Sequence, residues 1–157
     1  MSEEIFTLTQ KYNNIQKRLY STVYVNGIKK EIKALWDTGA DQTCISNQLA
    51  TSLNLSANHR QTKTMSATGV LSKLSMYDVD LTLISSAHSP DEVFKRNRFL
   101  TISLIAVGVD FRGVNNDTDI VIGMDIISQG DLAISNFDNK TTFTFRYPSI
   151  GKIDFRE

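Results

Sequence analysis

The chain has 157 residues, 41% of them hydrophobic, and its 17 basic residues (Lys plus Arg) balance its 17 acidic ones (Asp plus Glu). This length and composition predict one globular domain over residues 1–157 with a hydrophobic core of its own. Because the net charge is zero, no overall field attracts nucleic acid or an acidic membrane surface, and we expect neither as a partner.

The cysteine content and the N-terminus indicate the compartment. Cys44 is the single cysteine, which excludes an internal disulfide and favours a reducing environment. The first four residues are acidic rather than the start of a secretory signal, and no apolar stretch reaches the length of a membrane span. We therefore expect a cytoplasmic protein. Cys44, His59 and His88 are too few and too scattered for a metal site, so no metal is expected.

The first half of the chain predicts a hairpin that leads to an aspartate. Residues 1–16 contain a short apolar alternation that predicts an edge strand followed by a loop. Leu19 to Val25 is rich in β-branched and aromatic residues, Asn26-Gly27 is a strong turn pair, and Ile28 to Trp36 is the return strand. The face of the return strand that alternation assigns to the core contains Ile28, Ile32, Ala34 and Trp36. Asp37 then follows the end of a buried strand.

The triplet Asp37-Thr38-Gly39 is the most informative stretch. A carboxylate at the exit of a buried strand is partly desolvated, which suits it to acid and base chemistry. Gly39 allows the chain to reverse and to offer N–H groups to the carboxylate, and the Thr38 hydroxyl can brace the turn. An ordinary Asp-containing turn has the same composition, because Asp and Gly both favour turns. The triplet alone leaves both interpretations open.

The middle of the chain predicts a helix, a hairpin and a surface insertion. Ser46 is a plausible N-cap for a short helix from about Asn47 to Leu53. Thr62 to Leu83 predicts two strands around a bend of small residues, which is either a mobile lid or a plain surface hairpin. Residues 85–98 are polar, contain a proline and lack periodicity, so they predict a surface insertion.

The last third predicts four strands and a short helix. The predicted elements are a strand from Phe99 to Val107, a loop from Gly108 to Asp119, a strand Ile120-Val121-Ile122 ending at Gly123, a helix from Met124 to Gln129, and a hairpin of Leu132 to Ser135 with Thr141 to Tyr147. Many short strands with one or two short helices favour an all-β domain, closed or sandwich-like.

Two apolar strands each end in a glycine turn: Trp36-Asp37-Thr38-Gly39 and Ile120-Val121-Ile122-Gly123. With a small-tipped hairpin between them, this order closely resembles the retropepsin-like aspartic proteases over about residues 19–148. Met65 to Asp78 is similar to the flap of that family, and Gly130 to Ser149 is similar to bacterial and phage-type members. The resemblance implies a closed acid protease barrel with a flap hairpin and one or two short helices, preceded by the N-terminal edge segment 1–16.

The resemblance also implies an enzyme, an aspartic endopeptidase with one catalytic Asp per chain. The active form would be a homodimer in which two Asp37 carboxylates share a proton and activate a water to hydrolyse an extended polypeptide, with no cofactor. Thr38 would brace the paired loops, Gly39 would present its carbonyl to the substrate, and Asp41 would accept a substrate N–H. The implied flap tip, which would pair with the peptide, consists of Ala67, Thr68 and Gly69.

One departure from the retroviral pattern follows the second glycine. Retroviral members commonly place an arginine after the second glycine, paired with the carboxylate that corresponds to Asp41, whereas this chain has Met124 followed by Asp125. We therefore expect Asp41 to lack that partner. The resemblance also implies substrate pockets lined by Trp36, Val121 or flap residues. Two other functions stay open: a non-catalytic peptide-binding or dimerisation module on the same fold, and a precursor-processing role.

Overall fold

The computed structural model describes residues 5–58, 61–65, 71–85, 99–111 and 117–156. The predicted flap tip at Ala67, Thr68 and Gly69 and nearly all of the predicted insertion at 85–98 lie outside these residues. The strands of the described part are β1 Phe6–Lys11, β2 Leu19–Val25, β3 Ile28–Trp36, β4 Cys44–Ser46, β5 Gln61–Met65, β6 Leu71–Ile84, β7 Phe99–Val109, β8 Ile120–Ile122, β9 Asp131–Ser135 and β10 Thr142–Tyr147. Its helices are α1 Asn47–Ser52, α2 Met124–Ile127 and a 3₁₀ turn at Phe137–Asn139.

Six of these strands close into a barrel. The strand order is β2-β3-β8-β4-β7-β6, and a further antiparallel pairing between β6 and β2 joins the two ends. Strand β5 pairs with β6 and extends one side of the sheet beyond the barrel. The predicted closed all-β fold is therefore confirmed, and closure removes the sheet edges that would otherwise be free.

A three-stranded antiparallel sheet in the order β1-β10-β9 packs against the barrel. Phe143 and Phe145 of β10 are fully buried. Their rings lie 5.7 and 5.0 Å from the indole of Trp36 at the end of β3. Strand β1 lies at the edge of this sheet, as the alternation in the N-terminal segment predicts. The strand that leads to Asp37 is therefore anchored by aromatic packing from the second sheet.

The hairpin of β2 and β3 follows the sequence closely. Asn26 and Gly27 both have positive φ, 51° and 70°, the conformation that favours these two residue types in hairpin turns. Ile28 shares the core-facing side of β3 by alternation, yet its side chain is 42% exposed. It directly follows the turn, where the register shifts between Val23 and Val25, so the face that buries the rest of β3 ends before reaching it.

The end of β7 also differs from prediction. Strand β7 continues through Gly108 to Val109, because β4 pairs with it in parallel at Ile45↔Gly108 and Ser46↔Val109. Gly108 serves close packing here rather than a loop: a Cβ at this position would lie 2.7 Å from a ring carbon of Tyr77. Helix α1 is capped as predicted, with the Ser46 hydroxyl accepting the Leu49 N–H at 3.0 Å.

Candidate functional site

The barrel brings the two glycine turns together. Strands β3 and β8 run parallel, with Trp36 opposite Ile122, and the Asp37 N–H donates to the Ile122 carbonyl at 3.0 Å. Since the carboxyl ends of parallel neighbours meet at one edge, the turns that begin at Asp37 and at Gly123 lie side by side. Their similar sequences, far apart in the chain, form one site.

The first turn holds the Asp37 carboxylate in place. Its Oδ1 atom accepts the Gly39 N–H at 2.8 Å, and the Ala40 N–H donates to the Asp37 carbonyl at 3.2 Å. Asp37 is half-buried, whereas Thr38 and Gly39 are exposed. The carboxylate therefore stands at the surface of the barrel on a turn whose next two residues are open to solvent, as the triplet predicts.

The second turn packs against the first at backbone distance. A Cβ on Gly123 would lie 2.6 Å from the carbonyl carbon of Gln42 and 2.8 Å from the carbonyl oxygen of Ala40. The Met124 N–H donates to the Ala40 carbonyl at 2.8 Å, and the Asp125 N–H donates to the Asp41 carbonyl at 3.1 Å. Only a residue without a side chain fits this close to the backbone of the first turn, which explains the glycine at position 123.

Sequence reasoning missed two polar residues that join the turns, Thr43 and Asp125. The Asp125 carboxylate accepts the Thr43 N–H at 2.9 Å and the Thr43 hydroxyl at 2.7 Å. Thr43 is 1% exposed. A signal was present in the sequence, because each polar residue lies a few positions beyond its glycine turn, yet their pairing depends on the fold.

The departure at Met124 has a structural counterpart. Met124 is half-buried and packs against the hydrophobic core, so the position of the retroviral arginine carries an apolar side chain. The Asp41 side chain is exposed, while its carbonyl is held by Asp125. The second turn is therefore joined to the first by the carboxylate of Asp125 rather than by an arginine paired with Asp41.

Cys44 borders this site without acting as a nucleophile. Burial raises the pKa of its thiol to about 11, with further contributions from the negative charges of Asp125 and Asp37. The thiolate is the reactive form of cysteine, so a thiol with so high a pKa stays protonated and inert near neutral pH. The Sγ atom donates a weak hydrogen bond to the Gln42 carbonyl at 3.4 Å.

Trp36 and Val121, which the resemblance implies as pocket-lining residues, are both largely buried in the single chain. Trp36 is 6% exposed, and its indole N–H donates to the buried Ser21 hydroxyl at 2.7 Å. Val121, in the middle of β8, is 8% exposed. Trp36 belongs to the hydrophobic core, whereas Val121 lies on the opposite face of the sheet, because Trp36 pairs with the next residue, Ile122.

Two kinds of feature are absent from the described residues. No group of three or more His, Cys, Asp or Glu side chains there is placed to hold a metal ion. None of the helices in the same ranges is long and apolar enough to cross a membrane.

Comparison with known proteins places this geometry in a family. A family model described as aspartyl protease matches residues 21–126. A retropepsin-like aspartic protease from Rickettsia conorii is similar in structure, with a TM-score of 0.52 and 11% identity over 94% of this chain and 98% of that one. No curated protein matches significantly.

Two further solved structures are similar at lower scores. The EIAV protease complexed with the inhibitor HBY-793 has a TM-score of 0.42 and 18% identity over 73% of this chain and 89% of that one. The retroviral protease-like domain of Ddi1 from Leishmania major has a TM-score of 0.44 and 14% identity over 90% of this chain and 100% of that one. Because the family model spans more than half of the chain and includes both glycine turns, the chain belongs to the aspartyl protease family, with a retropepsin-like fold.

Proposed function

We propose that this protein is an aspartic endopeptidase whose active form is a homodimer with two Asp37 carboxylates at its centre. The observation that carries the proposal is the turn at Asp37: an aspartate held by the Gly39 N–H at 2.8 Å, at the end of a buried strand, in a chain of the aspartyl protease family. We extend the proposal to residues 1–157 as one domain, since β1 pairs with β10 along its whole length.

The need for two copies follows from the chemistry. The sequence contains a single Asp-Thr-Gly triplet, whereas water activation by carboxylates needs one group to take a proton and another to give one. Two like charges at contact distance do not both ionise, so two facing carboxylates share one proton and supply both roles. A two-fold axis beside Asp37 provides this pair with the commonest symmetry of oligomers.

The proposed reaction is hydrolysis of a peptide bond by a water between the two carboxylates. The ionised carboxylate takes a proton from the water as its oxygen bonds to the carbonyl carbon, and the protonated carboxyl gives its proton to the carbonyl oxygen. The tetrahedral diol then collapses: one hydroxyl returns its proton to the carboxylate that gave one and becomes the new C=O, the C–N bond breaks, and the leaving nitrogen gains a proton from the carboxyl that took one. The cycle restores one shared proton and needs no cofactor.

The neighbouring residues have supporting roles in this proposal. The exposed Thr38 hydroxyl braces the two copies of the turn against each other. The exposed Gly39 presents its carbonyl, and the exposed Asp41 its carboxylate, to main-chain groups of an extended substrate. The segment with Ala67, Thr68 and Gly69, outside the described residues, would cover the peptide as an added strand.

The test is cleavage of a mixed peptide library between mildly acidic and neutral pH, with products identified by mass spectrometry. Asp37→Asn should lower turnover by at least about 100-fold, the low end of what acid–base catalysis contributes. Asp138→Asn is the matched control, because it makes the same chemical change at a side chain that is 73% exposed in the final hairpin, and it should retain full activity.

Equal turnover by the wild type and Asp37→Asn would refute the proposal. Binding of extended peptides by both proteins with cleavage by neither would indicate the non-catalytic module instead.

A further inference from the structure

We propose that Asp125 is a positioning residue that fixes the Asp37 turn through Thr43. The inference deepens the proposed protease function and rests on it. It assigns no contact with substrate to Asp125; the residue acts through the backbone that carries Asp37.

The carboxylate of Asp125 is engaged on both oxygens. Its Oδ2 accepts the Thr43 N–H at 2.9 Å, and its Oδ1 accepts both the Thr43 hydroxyl at 2.7 Å and the Ile126 N–H at 3.0 Å. Three donors therefore converge on one side chain. A carboxylate is the group that suits this arrangement, because an ionised Asp only accepts hydrogen bonds.

The Thr43 hydroxyl extends this contact to the second turn. It also accepts the Gly123 N–H at 3.2 Å. Since the hydroxyl has one proton, which it donates to Asp125, the direction of both hydrogen bonds is fixed. The chain of bonds from Asp125 through Thr43 to Gly123 thus locks the two turns together.

The turn that carries Asp37 is consequently held by hydrogen bonds at both of its ends. At its start the Asp37 N–H is bonded to Ile122 at 3.0 Å, and at its end Thr43 is bonded to Asp125. A shift of the Thr43 end would therefore be transmitted to Asp37 through a short stretch of backbone.

Asparagine at position 125 is an informative substitution because it preserves the size of the side chain. If the amide oxygen still accepts the hydrogen bonds from the Thr43 hydroxyl and the Ile126 N–H, the NH₂ group faces the Thr43 N–H. Both of these groups are donors, so no hydrogen bond forms between them. Thr43 is 1% exposed, so water does not readily replace the lost acceptor. The turn should move to relieve this contact.

The kinetic test compares Asp125→Asn, Thr43→Val and Thr43→Ser with the Asp138→Asn control. Misplacement of reacting groups lowers kcat, and we expect a loss of about 10- to 100-fold in Asp125→Asn and Thr43→Val, with KM changed much less. Thr43→Ser keeps the hydroxyl and should therefore retain most of the wild-type kcat. The double variant Asp125→Asn/Thr43→Val should be little worse than either single one, since both break the same link.

A second readout does not depend on turnover. Amide hydrogen exchange in the full-length protein should become faster at Gly39 and Thr43 in Asp125→Asn, with exchange in β2 and β3 unchanged. If the wild type cleaves no peptide, the protease function fails while this measurement still decides the positioning role.

Either of two results would overturn the inference. One is wild-type kcat together with wild-type exchange at Gly39 and Thr43 in folded Asp125→Asn. The other is a kcat loss no larger than the loss of folded dimer, measured by circular dichroism and sedimentation. Should Asp125→Asn not fold, Thr43→Val decides in its place, because it removes one hydroxyl and keeps the shape of the side chain.

Discussion

Three aspartates differ in the hydrogen bonds that their carboxyl groups accept. Asp37 accepts one backbone N–H and stands at the surface of the barrel. Asp125 accepts three donors and joins two turns. Asp131 accepts the guanidinium of Arg146 and the hydroxyl of Ser149. The number of donors distinguishes the two aspartates with several structural contacts from Asp37, the proposed catalytic residue.

Asp131 predicts how stability depends on pH. Hydrogen bonds from Ser149 and then Arg146 hold its pKa below the ordinary value. A folded-state pKa below the unfolded one stabilises the fold above the unfolded value, near 3.9, and this contribution is lost as the pH falls through the folded value. Asp131→Asn should therefore lower Tm at pH 7, with the gap to wild type closing below about pH 4.

The measurement is Tm by circular dichroism from pH 7 to pH 2, with Asp138→Asn as the exposed control. A gap that stays constant over this range would show that the charge of Asp131 contributes nothing to folding.

Cys44 predicts an unusual alkylation profile. Because burial raises the pKa of its thiol to about 11, the rate of iodoacetamide modification should rise steadily from pH 7 to pH 10 in the folded protein. In urea the same thiol should level off above about pH 8.5, the ordinary value for cysteine. A plateau at that pH in the folded protein would contradict the environment described for Cys44.

The elements show how much the sequence could predict. The β2–β3 and β9–β10 hairpins, the α1 cap and the two glycine turns were predictable from local patterns. Examples are Asn26-Gly27, Ser46 and the apolar runs before Asp37 and Gly123. The continuation of β7 through Gly108 was not, since it depends on pairing with β4 and packing on Tyr77.

The same distinction applies to the site. The turn at Asp37 was predictable from its own neighbours in the sequence, while the link between Asp125 and Thr43 arises only when β3 and β8 pair. The exposure of Ile28 and the burial of Trp36 likewise follow from where the core ends. Local chemistry is therefore readable from the chain, and long-range partners need the fold.

The close packing of the Asp37 turn against the Gly123 turn predicts the effect of a substitution at Gly123. Gly123→Ala would place a methyl group 2.6 Å from the Gln42 carbonyl carbon, and backbone does not yield as a flexible side chain does. We expect the first turn to move and activity to fall by about 10-fold or more. Gly151→Ala is the matched control, because nothing lies within 4 Å of its Cβ. Peptide cleavage by the two variants makes the comparison, and equal rates would show that the turns tolerate separation.

The whole molecule combines a closed barrel with an open site. Closure through β2 and β6 leaves the end of β3 rigidly placed, and the aromatic contacts of Trp36 with Phe143 and Phe145 hold it from the second sheet. One chain thus offers one well-supported carboxylate at its surface. The proposed activity arises when a second copy supplies the other, so catalysis and assembly should be inseparable.

Mixing the wild type with Asp37→Asn tests this central claim most directly, once subunit exchange has been verified by mass spectrometry. If both carboxylates are needed, mixed dimers are inactive, and activity per wild-type subunit should fall to about one half at equal concentrations under random pairing and further as the variant is added. Activity per wild-type subunit that stays constant at every ratio, although mixed dimers form, would contradict the account.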